Sequence, residues 1–549
     1  MMMCRTPVVL ALCSLAWVLP LPAQQRAESV AGLGTLTFPT STPSAEAQTA
    51  FVRGVLLLHL FEYESATAAF EEAVRLDPGF AMAYWGEAMT ATHPVWDQQD
   101  LERGRQALQK LAPDPAARAG RAPTPREKAW LGAIEILYGD GPKARRDTLY
   151  AGAMARLVHD YPGDDEARLF HALALLGLSQ GVRQVPTYLR AAAIAESVFT
   201  RNPGHPGAAH YWIHGMDDPE HAAGVLPAAR ALSRIAPDAG HAQHMTSHIF
   251  LALGMWDDLV RANENALRVV DAARHTAGRD PVSCGHYVTW LEYGYLQQGR
   301  YAAARELLGR CMARAMAAPA PAGPDLDADN SSLASAIAMW SRYLLDTGRL
   351  SGEVAGWSID PGAAPARRLT WAFVRAYRGF RTGDQSAAAA AQADYRLAVT
   401  DLQRASAEAP DQDPGMEEFG RRVRVLGLEL DGLEQIAHGR RAAGLESLRR
   451  AAALEDSMAY AFGPPFLDKP PRELLGEELL AGSVAAGARQ AFLEALSRTP
   501  RRTSALRGLA RASEATGDTA AARRARTELE TIWHDADPDV AKPAGGGGG

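Results

Sequence analysis

The amino-acid sequence predicts an all-α protein, an α-solenoid of stacked helix-turn-helix hairpins. Three observations carry that reading. Alanine, leucine and arginine dominate, aromatic residues make up 7%, and β-branched runs are few, a composition that favours helices. At 549 residues the chain is too long for one compact core, whereas a repeat array can add hairpins without limit. A histidine pattern also recurs at a fixed offset: His210 and His214 stand four apart, as do His244 and His248, and the second pair follows the first by 34 residues. Residues four apart share a helical face, and about 34 residues is the length of one helix-turn-helix repeat.

Taken in order, the chain opens with Arg5 and an apolar run from Pro7 to Leu21, followed by Pro22-Ala23, the pattern of a secretory signal peptide over residues 1–23. The run is too short and too marked by proline for a membrane span, so the mature protein is expected to carry no stable span. Cys13 follows Leu12 where a lipoprotein signal needs a small residue, so an exported, periplasmic or extracellular protein without a lipid anchor is expected. Residues 24–46 are polar and proline-marked and read as a linker.

Next, Gly54, Ala66, Phe70, Ala73 and Pro78 fall at positions 8, 20, 24, 27 and 32 of the tetratricopeptide repeat (TPR) pattern. In that pattern small residues let two helices touch and proline ends the second. The sequence resembles TPR proteins here, and the resemblance implies a right-handed superhelix. A Pro/Ala/Arg stretch from Ala112 to Pro125 reads as a loop or insertion. Gly254, Trp256 and Ala266 resume the pattern at positions 15, 17 and 27, and Tyr295, Gly299, Tyr301, Ala304, Leu308 and Cys311 continue it at 11, 15, 17, 20, 24 and 27.

The N-terminal array is expected over 47–312, a hinge over 313–331, a degenerate C-terminal array over 332–535 and a flexible Gly-rich tail over 536–549. The segments AMAYWGEAM, HYWIHGMDDPEHA and HMTSHIFLALGMWDD further resemble a group of bacterial TPR proteins with predicted export signals. That likeness implies fold and export and leaves activity open. Cys284 and Cys311 either pair, as exported cysteines can, or Cys311 is a buried small hydrophobe.

In TPR proteins, positions 2, 5, 9, 12 and 13 of the first helix of each repeat face the concave groove. Carried onto this chain, the resemblance puts His210 and His244 at position 5 and His214 and His248 at position 9. Asp217 and Asp218 take 12 and 13, and His241 and His286 take position 2 of their units. His59 and His93 echo one another 34 residues apart, and Tyr211 lies beside His210.

Imidazole suits zinc, copper and iron, and two histidines four apart can aim two nitrogens at one ion. The candidate metal ligands are therefore His210, His214, His244, His248, Asp217, His241 and His286, with His59, His93, Asp218 and Tyr211 as groove residues for a ligand. His210, His214 and Asp217 also supply the ligand types of a two-histidine, one-carboxylate iron site. Three readings stay open: a solenoid binding a protein, peptide or small ligand in its groove with a histidine-held metal; a metal-dependent oxidase or hydroxylase using the same histidines; and a scaffold whose histidines are structural. A net charge of −7 gives no footprint for nucleic acid. No phosphate loop, dinucleotide fingerprint, HExxH or CxxCH occurs in the sequence.

Overall fold

Phe70 shows how the hairpins stack. It sits on the helix Tyr63–Leu76, and its ring fills the space that a side chain at Gly54 or Gly86 would need. A Cβ on Gly54 would lie 2.7 Å from that ring, and one on Gly86 would lie closer still. The same device returns near the other end of the chain, where Phe492 presses against Gly476 and Gly508. Glycine at the crossing lets two helices approach to ring thickness, and that is the physical content of the repeat spacing. The computed structural model describes residues 27–179, 182–317, 331–408, 414–465 and 467–541, and 25 α-helices in paired succession make up most of it. The fold is an all-α, TPR-like solenoid. No described helix is long and apolar enough to cross a membrane.

The expected signal peptide, residues 318–330 of the expected hinge and the Gly545–Gly549 run lie outside the described residues. Two other stretches carry more structure than polar, proline-marked sequence suggested. Within 24–46, strands Glu28–Val30 and Gly34–Leu36 form an antiparallel hairpin. Phe38 just beyond it is fully buried, with its ring 5.0 Å from that of Trp130 and 5.1 Å from that of Phe51. One large apolar side chain anchors this segment, and its neighbours in sequence do not advertise it. Within 112–125, Asp114 caps a short helix, Pro115–Arg121, whose buried Arg118 donates to Glu135 at 2.8 Å.

The C-terminal half folds back onto the first. Trp256 donates its indole N–H to the Arg501 carbonyl at 3.0 Å, and Arg501 donates to the Gly254 carbonyl at 2.8 Å. Trp533 does the same to the Gln297 carbonyl at 3.0 Å. Against the first half lies a buried charge network of the second: Arg502 contacts Glu473 at 2.8 Å and also pairs with Asp346, Lys469 reaches Glu473 at 2.7 Å, and Arg502 donates to the Tyr293 hydroxyl at 3.1 Å. Buried ions hold this way only when each has opposite-charge partners. Their consequence for function is geometric. The helix row that carries the histidines is covered by the chain's own C-terminal half.

Candidate metal centre

Three consecutive first helices supply the histidines: Pro206–Gly215, Gly240–Ala252 and His286–Gln297. Their donor atoms gather in two sets, His210, His214 and His241 in one and His244, His248 and His286 in the other. Within each set the nitrogens lie no more than 4.8 Å apart. The middle helix serves both sets, giving His241 to the first and His244 and His248 to the second. Across the divide, the rings of His214 and His248 are 5.9 Å apart and those of His241 and His244 are 6.0 Å apart.

Hydrogen bonds assign the tautomers. His244 Nδ1 faces Asn263 Oδ1 at 2.7 Å, and because the Asn263 amide donates to the Leu259 carbonyl, its oxygen is the atom turned to the ring. His248 Nδ1 donates to Asp217 Oδ2 at 2.6 Å. His210 Nδ1 donates to the His59 carbonyl at 2.7 Å. Each ring thus holds its proton on Nδ1 and presents a bare Nε2, the arrangement that orients histidines toward metals. In the second set the bare Nε2 atoms of His244 and His248 face each other at 3.2 Å, and His286 Nε2 stands 2.8 Å from that of His244. In the first set His210 Nε2 and His214 Nε2 are 3.1 Å apart, and among the described residues His241 Nε2 has no hydrogen-bond partner.

Burial keeps four of these imidazoles neutral. Loss of solvent, helped by the neighbouring histidines, pushes His210 down to about 3 and carries His214, His241 and His244 well below the usual histidine range. Aromatic rings close the walls. Phe61, held in the left-handed region at φ 56°, puts its ring 4.3 Å from that of His210 and 5.5 Å from that of His241. A phenylalanine in that backbone region is strained, and such strain persists where surrounding contacts demand it. Trp290 lies 4.4 Å from His248, and Phe462, from the C-terminal half, lies 5.5 Å from His248 and 6.4 Å from His214.

Several expected residues serve otherwise. Asp217 belongs to neither ligand set: its carboxylate is spent on the Nδ1 side of His248, so the proposed two-histidine, one-carboxylate triad with His210 and His214 is not assembled. The four groove residues line no open groove, because they are packed or turned inward. His59, fully buried, joins a closed chain in which its Nε2 reaches Glu166 at 2.8 Å and Glu166 reaches His205 Nε2 at 2.9 Å. Tyr211 Oη sits 2.9 Å from His59 Nδ1. Asp218 accepts from Arg183 at 2.7 Å and from the His221 and Glu220 backbone, which makes it a turn cap. His93 stacks on Tyr63 at 3.8 Å, away from His59.

Residues that sequence reasoning passed over include Glu166, Asn263, Phe61 and Phe462. Only His205, inside the histidine-rich stretch, carried any signal. Burial alone would raise the Glu166 carboxyl, but the charges and hydrogen bonds of His205 and His59 reverse that and hold it at about 2. The cysteines are joined: Cys284 and Cys311 form a disulfide with their Cα atoms 4.6 Å apart, two residues before His286.

No family model matches this chain, and no curated protein matches it. Among solved structures it is similar to the human IFIT1 dimer with m7Gppp-AAAA, at 13% identity over 91% of this chain and 92% of that one, with a TM-score of 0.32. It is also similar to the P58(IPK) TPR domain, at 11% identity over 86% of this chain and 99% of that one, with a TM-score of 0.20. A third is Naa15/Naa10 bound to HypK-THB, at 12% identity over 89% and 71%, with a TM-score of 0.23. At this level neither ligand nor site passes from them to this chain.

Proposed function

We propose that this protein is an exported, TPR-like solenoid whose enclosed histidines hold a transition metal. The observation that carries the reading is the His244–His248 pair. Both rings spend their Nδ1 protons on fixed acceptors, so two bare nitrogen lone pairs face each other at 3.2 Å inside an apolar wall. Lone pairs repel at that distance unless a metal ion or a shared proton lies between them. Three imidazoles around one point are what copper and zinc accept, and with Asp217 turned away neither set offers the carboxylate that favours iron.

Export is supported by the N-terminal signal pattern, by the resemblance to bacterial TPR proteins with export signals, and by the disulfide, which persists in oxidising compartments. The overall negative charge speaks against nucleic acid as partner.

Elemental analysis decides the matter. Wild-type protein reconstituted at pH 7.5, where unperturbed histidine with its pKa of about 6.5 is neutral, should carry stoichiometric copper or zinc. The double variant His244→Ala/His248→Ala should carry less. Wild-type protein free of metal under these conditions sinks the proposal.

A further inference from the structure

We infer that the two histidine sets form one binuclear copper centre that takes up dioxygen between its ions. This rests on the metal reading above and goes a step past it. Each set offers three imidazole nitrogens within 4.8 Å of one another, enough for one ion per set and too few to fill four-coordinate geometry. Each ion therefore keeps an open position.

The walls decide where those positions point. Phe61 lies against the first set, Trp290 against the second, and Phe462 covers His214 and His248 from the C-terminal half. None of these rings can supply a ligand, so the open positions face the space between the sets. Facing rings there are 5.9 and 6.0 Å apart between centroids, so the two sets stand in contact, close enough to share a small bridging ligand and too close to admit a large substrate. The shared helix Gly240–Ala252 holds the sets in fixed relation.

Charge selects the metal and the chemistry. All six ligands are imidazoles and none is a carboxylate; Asp217 meets the Nδ1 side of His248, and Glu62 meets His241 only by accepting its backbone N–H. Two divalent ions would bury four positive charges with little compensation, whereas two cuprous ions bury two. On reaction with dioxygen each cuprous ion gives up one electron. The two electrons reduce O2 to a bridging peroxide dianion, both coppers become cupric, and no proton is needed. The total charge of the buried site is +2 before and after, so the step needs no new counter-ion in a low-dielectric interior.

The test uses the full chain, loaded anaerobically with cuprous ion. Two coppers per chain, uptake of one O2 per two coppers, a new intense near-ultraviolet absorption and no cupric resonance in electron paramagnetic spectra are expected, because two bridged cupric spins cancel. His286→Ala, a half-buried position at a helix start, should retain one copper whose cupric form gives a resonance. One copper per wild-type chain, two magnetically isolated coppers, or two coppers inert to dioxygen each overturn this inference and leave the metal proposal standing. Failure to bind any metal overturns both.

Discussion

Two buried imidazole clusters touch in this protein, and they are built on opposite rules. His59, Glu166 and His205 make one, and the six histidines from His210 to His286 make the other, with the His59 carbonyl as the link to His210. Both are buried apart from the half-buried His286, and both gather donors close enough for a metal. In the first, every nitrogen is used: Glu166 takes an N–H from each ring, Tyr211 meets His59 Nδ1, and the Ala208 amide meets His205 Nδ1. In the second, acceptors behind His210, His244 and His248 take their Nδ1 protons and the Nε2 lone pairs of these rings turn inward. Burial and histidine density therefore do not distinguish a metal site from a structural network. Which way the lone pairs point does.

The largest expected effect separates the two. Glu166→Ala leaves two buried histidines without their shared acceptor and should cost about 3–5 kcal/mol of stability, the range for breaking a buried ion pair. Metal content of the folded fraction should be unchanged. Denaturant melts with metal analysis on the same samples check both halves. Loss of metal at intact stability breaks the distinction.

Acid should take the clusters apart in different windows. His210 is lowered in the folded state to about 3 from an ordinary 6.5, so below 6.5 the unfolded chain binds a proton that the fold refuses. That stability is present above 6.5 and drains as pH falls towards 3, by about 1.4 kcal/mol per pH unit for each such histidine. His214, His241 and His244 add in the same direction. Glu166 is lowered to about 2 from 4.5, so its contribution is present above 4.5 and lost only as pH falls through the 4.5-to-2 range. Metal-free protein should weaken from pH 6.5 downward, and metal-loaded protein should resist until the ions leave. Thermal melts of both forms at pH 7, 5.5 and 4 test this; identical pH profiles for the two forms count against a metal on these histidines.

The repeat register made much of this readable beforehand, and its limits are physical. A 34-residue period on helical hairpins forces residues at equal offsets onto facing helices, so His210, His214, His244 and His248 were bound to meet. His241 and His286 take position 2 of their units, although 45 rather than 34 residues separate them. The period says nothing about what covers the row. Phe462 lies in a Gly/Pro break with no repeat spacing, and its place over His214 and His248 comes from tertiary packing of the second half. The repeat puts Asp217 at position 12 of a first helix that in fact ends at Gly215, and its carboxylate meets the Nδ1 side of His248, since offset fixes a position and not a side-chain direction. Phe38 escaped because one buried ring in a polar stretch has no periodicity to reveal it.

Asp217→Asn probes the orienting layer. The amide can still approach His248 Nδ1 but no longer carries the charge that raises the basicity of the ring. Metal affinity should fall about 10- to 100-fold, the usual cost of losing such a partner, with the number of ions at saturation unchanged. A competition titration against a chelator measures it. If affinity holds and only stability falls, Asp217 is a packing residue like Asp218.

Phe462→Ala should have the smallest effect. The side chain is only half-buried, so its loss opens little cavity, yet it covers the two sets together and nothing in the Glu166 chain. Chelator removal of bound metal should quicken about three- to tenfold, a change of about 1 kcal/mol in the barrier to exit, while equilibrium stability stays nearly the same. Stopped-flow removal at several chelator concentrations distinguishes a gate from a ligand: a gate changes the limiting rate and leaves the affinity in place. If the rate does not move, ions reach the histidines by another path, and the wall between the cavity beside Tyr293 and Tyr460 and the ring of Trp290, where a Cβ on Gly463 would lie 2.9 Å from that ring, becomes the route to test.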